Sequence, residues 1–133
     1  MPLQLQLDAS HAIGQKVGGV FGVDRGVTSC VMLPAVMKWN SSVNAARQAC
    51  ILKAIQETGI SGVFNRMDLR RSAGGLLKGY IRLGMPGRLT EVGVGREKWE
   101  FLAKETMTDP WTQTNPRKTN GPEELLEIFE LAK

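Results

Sequence analysis

The segment Val27–Trp39, VTSCVMLPAVMKW, is apolar on nearly every side: Val27, Cys30, Val31, Leu33, Pro34, Val36, Met37 and Trp39 leave no wide polar stripe at helical spacing. A helix of that kind cannot lie on a surface; it needs neighbours on several sides. The rest of the chain must supply them. Pro34 predicts an irregularity within this helix, because proline lacks the N–H that its turn would use.

Helical signals dominate elsewhere. The stretch Ser42–Glu57 places Val43, Ala46, Cys50, Ile51 or Leu52, and Ile55 on one face, with Thr58-Gly59 as its stop. A third periodic region, from about Met67 to Leu83, repeats Leu69, Ala73, Leu76, Leu77, Tyr80, Ile81 and Leu83, weakened at Gly74-Gly75. After the turn 84–87 comes a short turn and then a helix whose apolar face holds Trp99, Leu102 and Met107, ended by Asp109-Pro110. The tract WTQTNPRKTNG reads as a polar loop. Pro122 at a first helical position, Glu123 and Glu124 at the positive dipole end, and Leu125, Leu126, Ile128, Phe129 and Leu131 announce a final helix. Leu3, Leu5 and Leu7 alternate with Gln4 and Gln6, the pattern of an extended segment. The expectation is all-α: a compact bundle of about five to six helices, residues 1–133 forming one domain, with residues 1–7 extended and no nucleotide-binding domain.

Composition narrows the class. A chain of 133 residues, 42% hydrophobic and 23% charged, is an ordinary globular domain. The opening MPLQLQLDAS has no positive n-region, and no run approaches the roughly 18 apolar residues of a membrane span. A cytoplasmic protein with no membrane partner is therefore expected. Cys30 and Cys50 read as buried apolar thiols in helix interiors, without a disulfide. The net charge of +4 is uneven: Arg66, Arg70, Arg71, Lys78 and Arg82 cluster in one segment, whereas Glu123, Glu124, Glu127 and Glu130 make the end acidic. No aromatic residues interleave with the cations and no zinc-finger spacing appears, so no nucleic-acid partner is expected.

Three separated runs carry a resemblance: SHAIGQKVGGVFGVDRGVTSCVMLPAVMKWN at 10–40, GMPGRLTEVGVGREKWEFLAKETMTDPWTQTNPR at 84–117, and ELLEIFELA at 124–132. Together they resemble the C-terminal helical domain of the iron-type alcohol dehydrogenases, in particular the fungal branch close to maleylacetate reductases. The resemblance implies a two-domain enzyme in which an N-terminal α/β domain binds the nucleotide, the helical domain supplies metal ligands, and the nicotinamide lies in the cleft between. The phosphate loop of that family, and the aspartate and histidine that open its ligand set, correspond to positions before residue 1. His11 falls on a ligand position. Where the family has a further active-site histidine this chain has Gln15, and where it has its next ligand histidine this chain has Arg25.

Those replacements bear on chemistry. A catalytic iron or zinc centre needs about three imidazole, carboxylate or thiolate ligands, and a permanently cationic guanidinium cannot serve. No metal and no cofactor are expected on this chain. What the residues do offer is acid–base chemistry. Asp8, three residues before His11, is placed to orient the imidazole, and Arg25 to stabilise a developing oxyanion. By the resemblance, Trp111, Gln113 and Asn115 belong to a segment that approaches the active cleft, and with Gln15 they would shape a substrate pocket. The expectation is a repurposed, cofactor-free, non-redox enzyme of secondary metabolism that isomerises or cyclises a small carbonyl-containing or polyene metabolite. The alternative is a non-catalytic pseudoenzyme, or a subunit that docks on a separate nucleotide-binding dehydrogenase chain. A homodimer is expected in either case, to cover the face that a missing domain would leave.

Overall fold

The computed structural model describes residues 8–57, 84 and 86–133, and all regular structure among them is helical. Helices α1 (Ala9–Phe21) and α2 (Arg25–Glu57) form the first half; two 3-10 turns (Thr90–Val92 and Arg96–Lys98), α3 (Trp99–Met107), α4 (Trp111–Thr114) and α5 (Pro122–Leu131) form the second. The described residues build the expected all-α bundle. The segment 1–7, expected to be extended, the periodic region 67–83 with the expected stop at Thr58-Gly59, and the basic cluster 66–82 lie outside the described residues.

Short polar residues set the helix starts. Asp8 caps α1: its Oδ1 accepts the His11 backbone N–H at 3.3 Å and the Ser10 hydroxyl at 2.7 Å. Such a cap contributes about 1 kcal/mol. At the other end Gly22, at φ 68°, donates its N–H to the Gly18 carbonyl, a left-handed closure that favours glycine. Asp24 then starts α2, its Oδ1 accepting the Gly26 N–H at 2.8 Å.

Helix α2 departs from expectation in two ways. Pro34 sits within it, yet the one residue with non-helical dihedrals is Asn44 (φ −132°, ψ 24°). Proline's fixed φ lies in the helical range, so Pro34 removes one hydrogen bond while its own dihedrals stay helical. The bend at Asn44 is sharp. Gln48 Nε2 donates at 2.7 Å to both the Met37 carbonyl and Asn44 Oδ1. In a straight helix residues 37 and 48 would be separated by roughly 16 Å of rise, beyond the reach of a glutamine side chain.

The second departure concerns burial. Before the bend, Val31, Met32, Ala35, Val36 and Trp39 enter the core while Val43, next to it, is 56% exposed; beyond it, Ile51 is 49% exposed, and Ala46 and Cys50 are exposed too. The described part of the face expected to be buried after Ser42, Val43, Ala46, Cys50 and Ile51, therefore points outward, the side chains of Leu52 and Ile55 lying outside the described ones, and the buried side chain among those described is Gln48. Both cysteines are free thiols; Cys50 is exposed and Cys30 half-buried, not the closed interior sites expected.

The core joins α1 (Ala9, Ile13, Val17) and the first arm of α2 to Leu89, Val94, α3 (Trp99, Leu102, Ala103) and α5 (Leu125, Ile128, Phe129). Burying each large side chain contributes about 1.5–3 kcal/mol. Trp39 and Trp99 are core residues, as expected, and Trp99 meets Phe129 edge-on with centroids 6.0 Å apart. Met107 and Leu126 are only half-buried and Leu131 is 41% exposed, so the apolar stripes of α3 and α5 are narrower than expected. The Leu89 N–H donates to the Ala132 carbonyl at 2.9 Å, tying the first residue of this half to its last turn.

Candidate active site

His11 stands in the first turn of α1 with its side chain exposed. The imidazole meets Trp111 edge-on, ring centroids 5.8 Å apart and planes at 84°. Trp111 is positioned by local chemistry: Asp109 Oδ1 accepts its N–H at 2.9 Å and Pro110 fixes the preceding φ, so α4 begins there. The first four residues of the expected WTQTNPRKTNG loop thus form a helical turn.

Asp8 supports His11 through the backbone and not through the ring. Its Oδ1 is engaged by the His11 N–H and the Ser10 hydroxyl, which is capping geometry. Gln15, one turn further along α1, is half-buried and its side chain makes no hydrogen bond among the described residues. Gln113 is exposed, and its Nε2 donates to the Thr119 carbonyl at 3.0 Å, closing the loop after α4 on itself. Arg25 opens α2, exposed and without an ion pair among the described residues. It lies beyond the last turn of α1 whereas His11 lies in the first, and no contact joins the two.

Asn115 is the best-connected of the expected site residues. It is 3% exposed; its Oδ1 accepts the Ala9 N–H at 3.3 Å and an Asn40 amide hydrogen at 3.1 Å, while its Nδ2 donates at 2.6 Å to Asn40 Oδ1 and to the Arg117 carbonyl. Its hydrogen-bonding capacity is used within the chain, where it fastens the loop to α1 and α2. Asn40 was not among the expected site residues. A polar side chain at the end of an otherwise apolar helix was the signal available for it. Arg117 completes the arrangement, with its guanidinium 3.5 Å from the centre of the Trp39 ring and its Nη1 donating to the Trp39 carbonyl.

The resemblance implies a divalent metal, and the donor set can be tested against it. His11 is the sole histidine of the sequence, and among the described residues no group of three His, Cys, Asp or Glu side chains converges. Asp8 is spent on the helix cap. Gln15 and Arg25 are poor and impossible ligands respectively. The described residues do not fit a divalent-metal centre.

Comparison with known proteins agrees with the motifs. The model of the Fe-containing alcohol dehydrogenase family, C-terminal domain, matches residues 4–132. The chain is 33% identical over 133 residues to dehydrogenase FUM7 of Gibberella moniliformis, covering 93% of this chain and 31% of that protein. It is 31% identical over 139 residues to dehydrogenase ALT3 of Alternaria alternata, covering 96% of this chain and 35% of that protein. The crystal structure of a 1,3-propanediol oxidoreductase superposes with a TM-score of 0.74 at 28% identity, over 96% of this chain and 33% of that one. The chain spans about a third of the length of the curated relatives it matches. Motif order, helical architecture and these similarities assign the chain to the Fe-containing alcohol dehydrogenase family, as a counterpart of its C-terminal helical domain.

Proposed function

We infer that the chain provides an acid–base site for a small carbonyl-containing metabolite in the cytoplasm, with His11 as the proton-transferring group and Trp111 as an apolar wall. The observation that carries this is the state of the imidazole. It is exposed, oriented by an aromatic edge, and neither ring nitrogen is hydrogen-bonded among the described residues. Such a ring is free to take a proton from the carbon beside a carbonyl as the electron pair moves onto the oxygen. Return of the proton to that carbon gives exchange; its return to another carbon gives isomerisation, and attack of the enolate carbon on an internal electrophile closes a ring. Arg25 serves as oxyanion partner only for a substrate long enough to reach from the first turn of α1 to the start of α2.

The test is proton exchange at the α-carbon of cyclohexanone in D2O, followed by NMR. The protein is expected to accelerate exchange over buffer, and His11→Ala to lose at least about tenfold, the lower side of general-base contributions. Arg25→Ala changes this small ketone's rate little. Equal exchange with protein, with the variant and in buffer rejects the role of His11.

A second reading, a helical subunit that docks on a nucleotide-binding chain or pairs with its own copy, is supported by large apolar side chains left exposed: Val20, Val43, Ile51, Phe101 and Leu131. Light scattering across a range of protein concentrations tests the homodimer: a mass that stays monomeric throughout removes it.

A further inference from the structure

The bend in α2 creates a groove that the His11 site does not use. Its volume is about 450 Å³, within the range of roughly 300–1,000 Å³ typical of small-molecule sites. Leu33 and Met37 of the first arm face Arg47, Gln48 and Ile51 of the second, with Asn44 at the fold between them and Asp8, Thr114 and Pro116 on the far rim. Without the turn at Asn44 the two arms would not face each other, so the groove follows directly from one non-helical residue.

Its polar groups differ in what they have left to give. The Gln48 amide nitrogen is held by the Met37 carbonyl and Asn44 Oδ1, and Asn40 is held by Asn115 and the Arg117 N–H. Asp8 is engaged by the His11 N–H and the Ser10 hydroxyl, and the positive end of α1 offsets its charge. Arg47 is different: its guanidinium is exposed, and it makes no hydrogen bond or ion pair among the described residues. A planar cation with a fixed fork of donors beside an apolar wall recognises a carboxylate attached to an apolar body. We propose that this groove binds a small amphipathic carboxylate, Arg47 holding the head group while Leu33, Met37 and Ile51 cover the chain.

Octanoate is a suitable probe, titrated into the full chain by calorimetry and by 1H–15N NMR, with octan-1-ol and octylammonium as controls. Saturable binding of octanoate is expected, moving the side-chain amide signals of Asn44 and Gln48. Arg47→Gln, an exposed position whose unchanged circular dichroism verifies folding, is expected to weaken it at least tenfold, and octan-1-ol to bind correspondingly less tightly than octanoate. Absence of saturation overturns the proposal. So does equal affinity of Arg47→Gln, which would mean apolar adsorption alone, or equal binding of octylammonium, which would make Asp8 the charge that matters. His11 does not line the groove, so failure here leaves the α-carbon exchange result standing, and failure there leaves this one.

Discussion

The two arms of α2 both carry apolar residues and meet opposite fates. The arm before Asn44 contributes Met32, Val36 and Trp39 to the core, at 0%, 0% and 5% exposure; the arm beyond it leaves Ile51 about half exposed and Ala46 and Cys50 exposed. Periodicity states which residues share a face. Whether that face is covered depends on where the chain turns, and here a single residue turns it.

The contrast can be broken most strongly from the buried side. Trp39→Ala removes a core ring together with the platform beneath Arg117, and is expected to lower stability by about 3–5 kcal/mol in urea denaturation. Ile51→Ala on the outer arm should cost within about 0.5 kcal/mol, as for a surface substitution. Equal effects would mean that both arms are buried in solution. Between these lies the bend itself. Gln48→Ala strips the Met37 carbonyl and Asn44 of a shared donor and is expected to cost about 1–3 kcal/mol, and to loosen amide protection on both sides of Asn44 in hydrogen exchange. No change would place the origin of the turn elsewhere.

The smallest effect belongs to the end of α5. Glu130 pairs with Lys133 and Arg96, and its carboxyl is held below the usual carboxylate range, chiefly by the hydrogen bond from Lys133. A depressed carboxyl stabilises the fold above its unfolded-state value near 4.5 and loses that contribution as the pH falls through the folded value. Solvent screens this exposed group. The melting temperature of Glu130→Gln is therefore expected to converge on that of the parent below about pH 4, where unfolded glutamates protonate. A difference that grew on acidification would reverse the assignment.

Much of the fold was legible because the signals were local. Asp8, Asp24 and Gly22 bound α1 and open α2 through side chains and dihedrals that involve only a few neighbouring residues, and Pro122 with Glu123 and Glu124 marks α5 in the same way. The bend was legible only in part: separate helices were expected at 27–39 and 42–57, but not that they would meet in a turn at Asn44. Pro34 is the conspicuous breaker, while the break depends on Gln48 reaching back past Asn44 to Met37, a contact that exists only once the chain has folded. The site was legible in part. The family resemblance placed His11 and Trp111 in one cleft, and their rings do meet; the same resemblance could not foresee that Asp8 would cap a helix or that Asn115 would bond inward to Asn40. Arg47 escaped notice because a lone arginine on a helix looks like any solvated cation until an apolar wall faces it.

Asn40 and Asn115 grip each other with both ends of their amides, and the loop so gripped begins one step beyond the helical turn that carries Trp111. Exchanging either asparagine alone takes two hydrogen bonds from its mate, so the pair forms a clasp whose two halves depend on each other. The helical turn that carries Trp111 is thereby anchored to both α1 and α2 from its C-terminal side.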